Sequence, residues 1–483
     1  MAGGSWSGAC TKQPSNTPVH VQGGWQEARG NCGSGEFYIE NVRELVDSEG
    51  EWFLDETTDE LVYFTAKGSP ASQNLTFVAS TLTNVIELRG NPGQGSDPAA
   101  HVNNVTLRGL TIAHAATTFL EQYEVPSGGD WSIHRGAAVF VDGAEGVTVE
   151  ACLFDQPGGN GLMLSNYVAE STIVNNSFIQ VGDSAILAVG SSKLFDATCS
   201  SPWSPAPSMP TRNLLRGNLV DTVGVFGKQT AGYFKALSDS NRFVENVLVN
   251  GPRSAVNFND GGAGGEVLEG NLMLNFVRES GDHGMFNSWD RQPYLYSDDA
   301  TSATRLSPKR HQIHRNLCFN HNYATTGKTR SGYCFDYDDG SSQYNATANV
   351  MVGGGFKIRD GVNRSHADNL VVNGRLADPQ VAGFNSTTLT DNIVLDPSGV
   401  FYSCVGDAFA DGTTASGNSF YVPGTAAGAA PRFMPGCGRA CKGDPTLSCW
   451  QKHGAGYDEG STIGGDVSVD KVLGWAKERL RMV

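Results

Sequence analysis

The chain has 483 residues, 39% hydrophobic and 17% charged, with 60 glycines and a formal net charge of −16. That apolar content with so few charges excludes intrinsic disorder, and no Gly-x-x period runs through the chain to make a collagen. The acidic balance excludes a nucleic-acid partner and an anionic membrane surface, which need clustered Lys and Arg, and no run of about 18 apolar residues is present to span a bilayer.

The start, Met1-Ala-Gly-Gly-Ser5, has no apolar signal core, so the chain is either cytosolic or a secreted one without its signal peptide. Ten cysteines favour secretion: Cys10, Cys32, Cys152, Cys199, Cys318, Cys334, Cys404, Cys437, Cys441 and Cys449. An even number at wide, irregular spacing reads as disulfides, and no His partners stand at zinc-ligand spacing. Six Asn-x-Ser/Thr sequons, at Asn74, Asn104, Asn175, Asn345, Asn363 and Asn385, point to a glycoprotein that is extracellular or at the cell surface.

Residues 1–75 read as an N-terminal cap whose hairpin joins Glu51-Trp-Phe-Leu-Asp55 to Leu61-Val-Tyr-Phe64 across Thr57-Thr-Asp-Glu60. From 76 to 425, short β-prone runs recur, each split by a small or polar residue, as in Val147-Thr-Val-Glu-Ala-Cys152-Leu-Phe, Thr172-Ile-Val-Asn-Asn176-Ser-Phe-Ile and Val267-Leu-Glu-Gly-Asn271-Leu-Met-Leu. Asn218, Asn246 and Asn271 follow one another at spacings of 28 and 25, and Asn349, Asn369 and Asn392 at spacings of 20 and 23. A period of this length, all β, predicts a solenoid with one rung per repeat. The Asn or Gly supplies a left-handed bend between strands, and stacked Asn side chains can hydrogen-bond from rung to rung. The Leu-x-x-Leu-x-Leu spacing of leucine-rich repeats is missing. The expected fold is all-β, a right-handed parallel β-helix solenoid.

Two excursions interrupt the rungs, the Pro-rich Ser201–Pro207 and residues 281–312, and loops of this kind build the rim of a groove. Residues 426–483 read as a Cys-rich C-terminal segment, pinned through Cys437, Cys441 and Cys449. It closes on a short amphipathic helix from about Ser468 to Leu480, with Val472, Leu473, Ala476 and Leu480 on one face.

The richest acidic cluster is Asp336-Tyr-Asp338-Asp339-Gly340, followed by Lys357-Ile-Arg359-Asp360-Gly361. Asp360 follows Asp338 by one rung of this period, and equivalent positions on adjacent rungs stack about 4.8 Å apart. Two carboxylates at about 5 Å match a retaining glycosidase pair, and such proximity pushes one pKa up. Asp260 and Asp282 stand at the same spacing, and His283, Trp289, Asp290 and Arg291 follow. A Trp among polar groups suits a sugar, whose ring stacks on a flat face. Trp131-Ser-Ile-His134-Arg135 and Gly182-Asp183-Ser184 add polar groups on earlier rungs.

Plainer readings stand beside these. Asp-Gly pairs make turns, Asp336, Asp338 and Asp339 together resemble a Ca²⁺ site, Trp289 suits a core, and His134 and His283 suit hydrogen-bonded fixtures. No Ser-His-Asp grouping follows from spacing, and no phosphate-cradling Gly-rich loop joins a strand to a helix.

Several segments together resemble the right-handed parallel β-helix repeat proteins of the pectin-lyase-like superfamily. They are Gly50-Glu-Trp-Phe-Leu-Asp55, Asp130-Trp-Ser-Ile-His-Arg-Gly136, Gly182-Asp-Ser-Ala-Ile186, His283-Gly-Met-Phe-Asn-Ser-Trp-Asp-Arg291, Asp338-Asp-Gly-Ser-Ser342 and Gly354-Gly-Phe-Lys-Ile-Arg-Asp-Gly361, with Trp450-Gln-Lys-His and Asp458-Glu-Gly-Ser461 more weakly. Among these proteins the chain is most similar to glycoside hydrolase family 141 and more distantly to family 120.

The resemblance implies an extracellular enzyme cleaving fucosides or xylosides of a plant- or algal-type polysaccharide by a carboxylate pair. It implies Asp338 or Asp339 as nucleophile and Asp360 or Asp290 as acid/base. His283, Trp289, Arg291, Asp260, His134 and Lys357 are the expected substrate contacts. A monomer without cofactor is expected, Ca²⁺ being the one metal the acidic cluster allows. Two rivals share the fold: a Ca²⁺-dependent lyase or epimerase with Lys357 or Arg359 as base, and a non-catalytic glycan-binding surface or matrix protein.

Overall fold

The computed structural model describes residues 8–10, 19–21, 40–91, 100–119, 121, 123–124, 133–191, 208–259, 264–280, 282–289, 309–320, 333–379, 385–402, 412–424, 446–453 and 457–482. They form the parallel β-helix expected from the repeat. Three long sheets have 11, 12 and 11 strands, and every pairing within them is parallel. The first sheet runs from Thr106–Arg108 to Thr413–Ser416, the second from Thr111–Ala113 to Thr462–Gly464, and the third from Ile86–Arg89 to Ala377–Pro379. The predicted N-terminal hairpin is present as Trp52–Asp55 against Glu60–Tyr63.

The first two sheets use short strands that bury mainly their middle residue, as Val149, Ile173, Leu215 and Leu268 do. These residues stack from rung to rung into one core. The third sheet differs: Leu162–Ala169, Ala231–Ala236, Ser254–Asn259 and Gly284–Trp289 are buried on nearly every residue. A parallel sheet covered on both faces shows this pattern, so its outer face lies beneath other chain.

The bend between the first and second sheets carries a continuous asparagine ladder through Asn176, Asn218, Asn246, Asn271, Asn316, Asn349, Asn369, Asn392 and Asn418. Each amide oxygen accepts from both the Nδ2 and the backbone N–H of the asparagine one rung upstream. The spare Nδ2 hydrogen goes to a backbone carbonyl one rung back. The left-handed residue is the one before each ladder asparagine, at Asn175, Gly217, Glu245, Gly270, Arg315 and Ala348. The expected double role of the asparagine, bend and ladder, is therefore divided between two neighbours.

Replacing Asn316 with Ala would leave the N–H and one Nδ2 hydrogen of Asn271 without an acceptor and take the Nδ2 donor from the Leu268 carbonyl, while Asn349 Oδ1 keeps the backbone N–H of residue 316. With each orphaned buried group costing about 1–3 kcal/mol and partial relaxation, the expected loss is about 3 kcal/mol, read from the denaturant midpoint.

The ladder has unlike ends. Cys152 fills the place before Asn176, whose Oδ1 accepts from the Cys152 N–H, so this cysteine is a buried free thiol and not a disulfide half. At the far end, Asp458 accepts from Asn418 Nδ2, Ser461 Oγ, Tyr402 OH and Trp450 Nε1. Trp450 belongs to helix α1, Leu447–His453, and packs on the end of the core. Cys449 of α1 is disulfide-bonded, whereas Cys437 and Cys441 lie outside the described residues.

Helix α2, Val469–Leu480, starts on Ser468, whose side chain accepts from the Lys471 N–H. It lies along the second sheet, setting Val472, Trp475, Ala476 and Leu480 in one cluster with Val350, Leu370 and Leu395. The expected face holds except at Leu473, which is 52% exposed, because the buried stripe follows 472, 475, 476 and 480 and 473 falls just past its edge, beyond 480.

Candidate active site

Along the third sheet, Tyr233, Val256, Phe286, Phe335 and Phe356 point into the core. The adjoining residues therefore face outward and stand in register as Phe140, Met163, Leu187, Phe234, Asn257, Asn287, Asp336 and Lys357. The first four join Ile133 and Trp289 in an apolar cluster on the outside of the sheet. Beyond Phe234 the row turns polar yet stays buried, so its members must satisfy one another. Asn287 Nδ2 donates to Asn257 Oδ1 at 3.0 Å, and Lys357 Nζ donates to Asp336 Oδ2 at 3.1 Å.

Lys357 organises the acidic cluster. Its ammonium also reaches Asp282 Oδ1 at 3.2 Å, the Asp282 carbonyl at 3.0 Å and Asp338 Oδ2 at 3.9 Å. Arg359 takes the rim, with its Nε at 3.1 Å from Asp338 Oδ1 and 2.6 Å from Asp339 Oδ1. Burial pushes the Asp336 carboxyl well above the usual range, opposed by the Lys357 charge. Burial likewise raises Asp338, with Lys357 and the Asp339 N–H pulling the other way. The three carboxylates hold Lys357 above the ordinary lysine range against its own burial. Lys357 is thus a fixed cation.

Position then separates the two acids. Asp336 is sealed, whereas Asp338 retains 8% exposure at the end of its strand. Backbone bonds hold that end: the Asp338 N–H donates to the Ser288 carbonyl, the Asp338 carbonyl accepts from the Ser341 N–H, and Ser288 and Ser341 share a hydroxyl hydrogen bond of 2.8 Å. The Cys318–Cys334 disulfide anchors the strand Tyr333–Tyr337 from its other end.

The expected stack of Asp338 on Asp360 is replaced by an ion pair. Register in this sheet sets Asp336 against Lys357 and Tyr337 against Ile358, so the residue facing Asp338 is Arg359. Asp360 follows it, accepts the Gly340 N–H on its carbonyl and acts electrostatically on Arg364. Lys357, expected to touch substrate, is fully buried beneath the carboxylates. Trp289 is 6% exposed within the outer apolar cluster and offers no open ring face. His283 lies one residue past Asp282 and its ring nitrogen bonds Ser280 Oγ. Asp260, Asp290 and Arg291 lie outside the described residues.

His134 belongs elsewhere. It precedes the second strand of this sheet while Asp336 is on the eighth, six rungs or about 29 Å away. Its Nε2 pairs with Glu121 at 2.8 Å. Asp183, on the fourth rung, is completely buried, and burial raises its carboxyl to about 7. The folded form therefore holds the proton more tightly than the unfolded chain, whose Asp titrates near about 4. The stabilisation is complete below about pH 4 and is lost as pH rises through about 7. Asp183→Asn should narrow the fall in melting temperature between pH 6 and pH 8, measured by scanning calorimetry.

The acidic cluster does not fit Ca²⁺. The cation wants several anionic oxygens facing one point, and here Lys357 and Arg359 already occupy the space between Asp336, Asp338, Asp339 and Asp282. Sequence reasoning set Asp282 and Arg359 near this cluster but not as the partners of Lys357, Asp338 and Asp339. The signal was present in Phe356-Lys357-Ile358, where a lone cation inside a buried apolar strand demands acidic partners.

No protein-family model matches the chain, and neither does any curated protein. Among solved structures it is similar to one described as a glycoside hydrolase, at 12% identity and a TM-score of 0.44, covering 78% of this chain and 57% of the other. It is also similar to XylC in complex with xylose, at 9% identity and a TM-score of 0.40, covering 66% and 50%. A third is the catalytic unit of an α-1,3-glucanase from Streptomyces thermodiastaticus, at 10% identity and a TM-score of 0.36, covering 82% and 71%. The chain thus spans about half the length of the first two. Likeness at this level assigns no activity, and the architecture stands on the strand pairing itself.

Proposed function

We propose that the chain is an extracellular glycoside hydrolase acting where the strand Tyr333–Tyr337 of the third sheet ends, with Asp338 as the proton-donating carboxyl. One observation carries this reading: a carboxyl at the edge of solvent whose pKa is raised by burial, held beside a sealed Lys357–Asp336 pair. A general acid needs a raised pKa and a path to a leaving oxygen; burial raises Asp338, and its strand end is where this cluster meets solvent. The fucoside or xyloside class of a plant- or algal-type polysaccharide follows from the sequence resemblance. Secretion is supported by the Cys318–Cys334 disulfide, which an oxidising compartment maintains.

The lyase reading fares worse on the residues at hand. Its base would be Lys357 or Arg359, and both are held protonated by neighbouring carboxylates. Incubation with a panel of neutral and acidic plant and algal polysaccharides separates the two readings. Hydrolysis releases reducing ends without new ultraviolet absorbance, whereas a lyase product absorbs. Binding without either product would support the non-catalytic reading.

A further inference from the structure

Resting on the hydrolase reading, the geometry assigns Asp282 as the second carboxylate of the reaction, the base that works opposite Asp338. The expected partners of Asp338 are otherwise placed: Arg359 ties Asp339 down at 2.6 Å, and Asp360 acts on Arg364. Asp282 arrives from a different rung, two strands before Lys357, and its side chain is 69% exposed. Among the described residues it is the most open carboxylate at the Lys357 ammonium, whose other partners are the sealed Asp336 and the nearly sealed Asp338.

Distance supports the pairing. Asp282 Oδ1 and Asp338 Oδ2 lie 3.2 and 3.9 Å from the same Nζ, so their separation cannot exceed the sum of those two contacts. Inverting hydrolysis uses carboxyl groups about 6.5–9.5 Å apart and retaining hydrolysis about 5–5.5 Å, so this upper bound brings the two acids within the working range of a glycosidase pair. Lys357 contacts both acids and so fixes them relative to one another. In that arrangement the Asp338 proton passes to the glycosidic oxygen as the anomeric C–O bond breaks. A water attacks the anomeric carbon from the other face, its proton goes to the Asp282 carboxylate, and the product is the hemiacetal of inverted configuration plus the free alcohol. Proton exchange with solvent then returns Asp338 to its acid form and Asp282 to its carboxylate.

Lys357 also donates to the Asp282 backbone carbonyl at 3.0 Å, so the loop keeps one tether when the carboxylate is removed. Asp282→Asn should therefore fold with a melting temperature close to that of the wild type. On a polysaccharide that the wild type cleaves, it should lose about 10²–10⁴-fold in kcat with KM little changed. It should also lose the acid limb of the kcat pH profile, which a residue that merely positions Lys357 would leave in place. Asp282→Glu should recover part of the rate. An Asp282→Asn enzyme that keeps its rate and acid limb while Asp338→Asn is inactive would overturn this assignment and leave the hydrolase reading intact. A wild type that cleaves nothing in the panel would overturn both.

Discussion

Asp338→Asn should fold normally and cleave a natural polysaccharide about 1000-fold more slowly than the wild type, the middle of the range for removal of a general acid. The amide keeps an oxygen to accept from the Asp339 N–H and Arg359, so the strand end stays in place, but it has no acidic proton to give. The loss should shrink sharply on an aryl glycoside whose leaving group departs without protonation. Steady-state rates on the two substrate types make the comparison. An equal loss on both would show that Asp338 acts in some way other than protonating the leaving oxygen. Asp339→Asn and Asp360→Asn, made alongside, should retain most of the rate, since Arg359 holds the first and the second stands past the strand end beside Arg364.

The second large effect is on stability. Lys357→Met removes the cation bonded to the sealed Asp336, and leaving a buried carboxylate unpaired costs about 4 kcal/mol. Because burial raises the Asp336 pKa in the folded state, the variant can recover by taking up a proton. Stability should rise as pH is lowered from 7 toward 5 and fall again as pH climbs through the folded pKa. Adding Asp336→Leu should restore most of the loss at neutral pH by removing both charges together. Urea titrations at two pH values would show this. A Lys357→Met protein as stable at pH 7 as the wild type would mean that Asp336 is not held as an ion.

Much of the fold was legible because the asparagine ladder is a local signal. The residues flanking Asn218, Asn246, Asn271 and Asn349 repeat the same short strand, bend and strand, and buried amides tolerate few substitutes in that place. Cys152 was legible as the residue that splits its repeat, Val147-Thr-Val-Glu-Ala from Leu-Phe, and only the disulfide expected of it was wrong. The left-handed bend was displaced by one residue because asparagine satisfies both requirements, so the sequence does not reveal which is operating.

The site was less legible. Asp336, Asp338 and Asp339 were recognised, and a Lys or Arg beside Asp336 was an open reading, but which cation faces which carboxylate was not legible, because the third sheet has long insertions between its strands that erase any fixed period. A register one residue shorter than the spacing of Asp338 and Asp360 sets Arg359 opposite Asp338, and so exchanges a carboxylate pair for an ion pair. Asp282 reaches Lys357 from two strands away in that sheet, a contact no spacing argument contains. Trp289 shows the reverse error. Its polar neighbours suggest a sugar platform, whereas its side chain takes the plainer core reading, in one apolar cluster with Ile133 and Phe234.

The most direct test is a crystal structure of Asp338→Asn soaked with an oligosaccharide from a substrate the wild type cleaves. The account predicts sugar density at the end of the strand Tyr333–Tyr337, with the glycosidic oxygen within hydrogen-bond distance of the residue at 338 and Asp282 on the far side of the anomeric carbon. Density at another face of the solenoid, with no sugar at position 338, would contradict it.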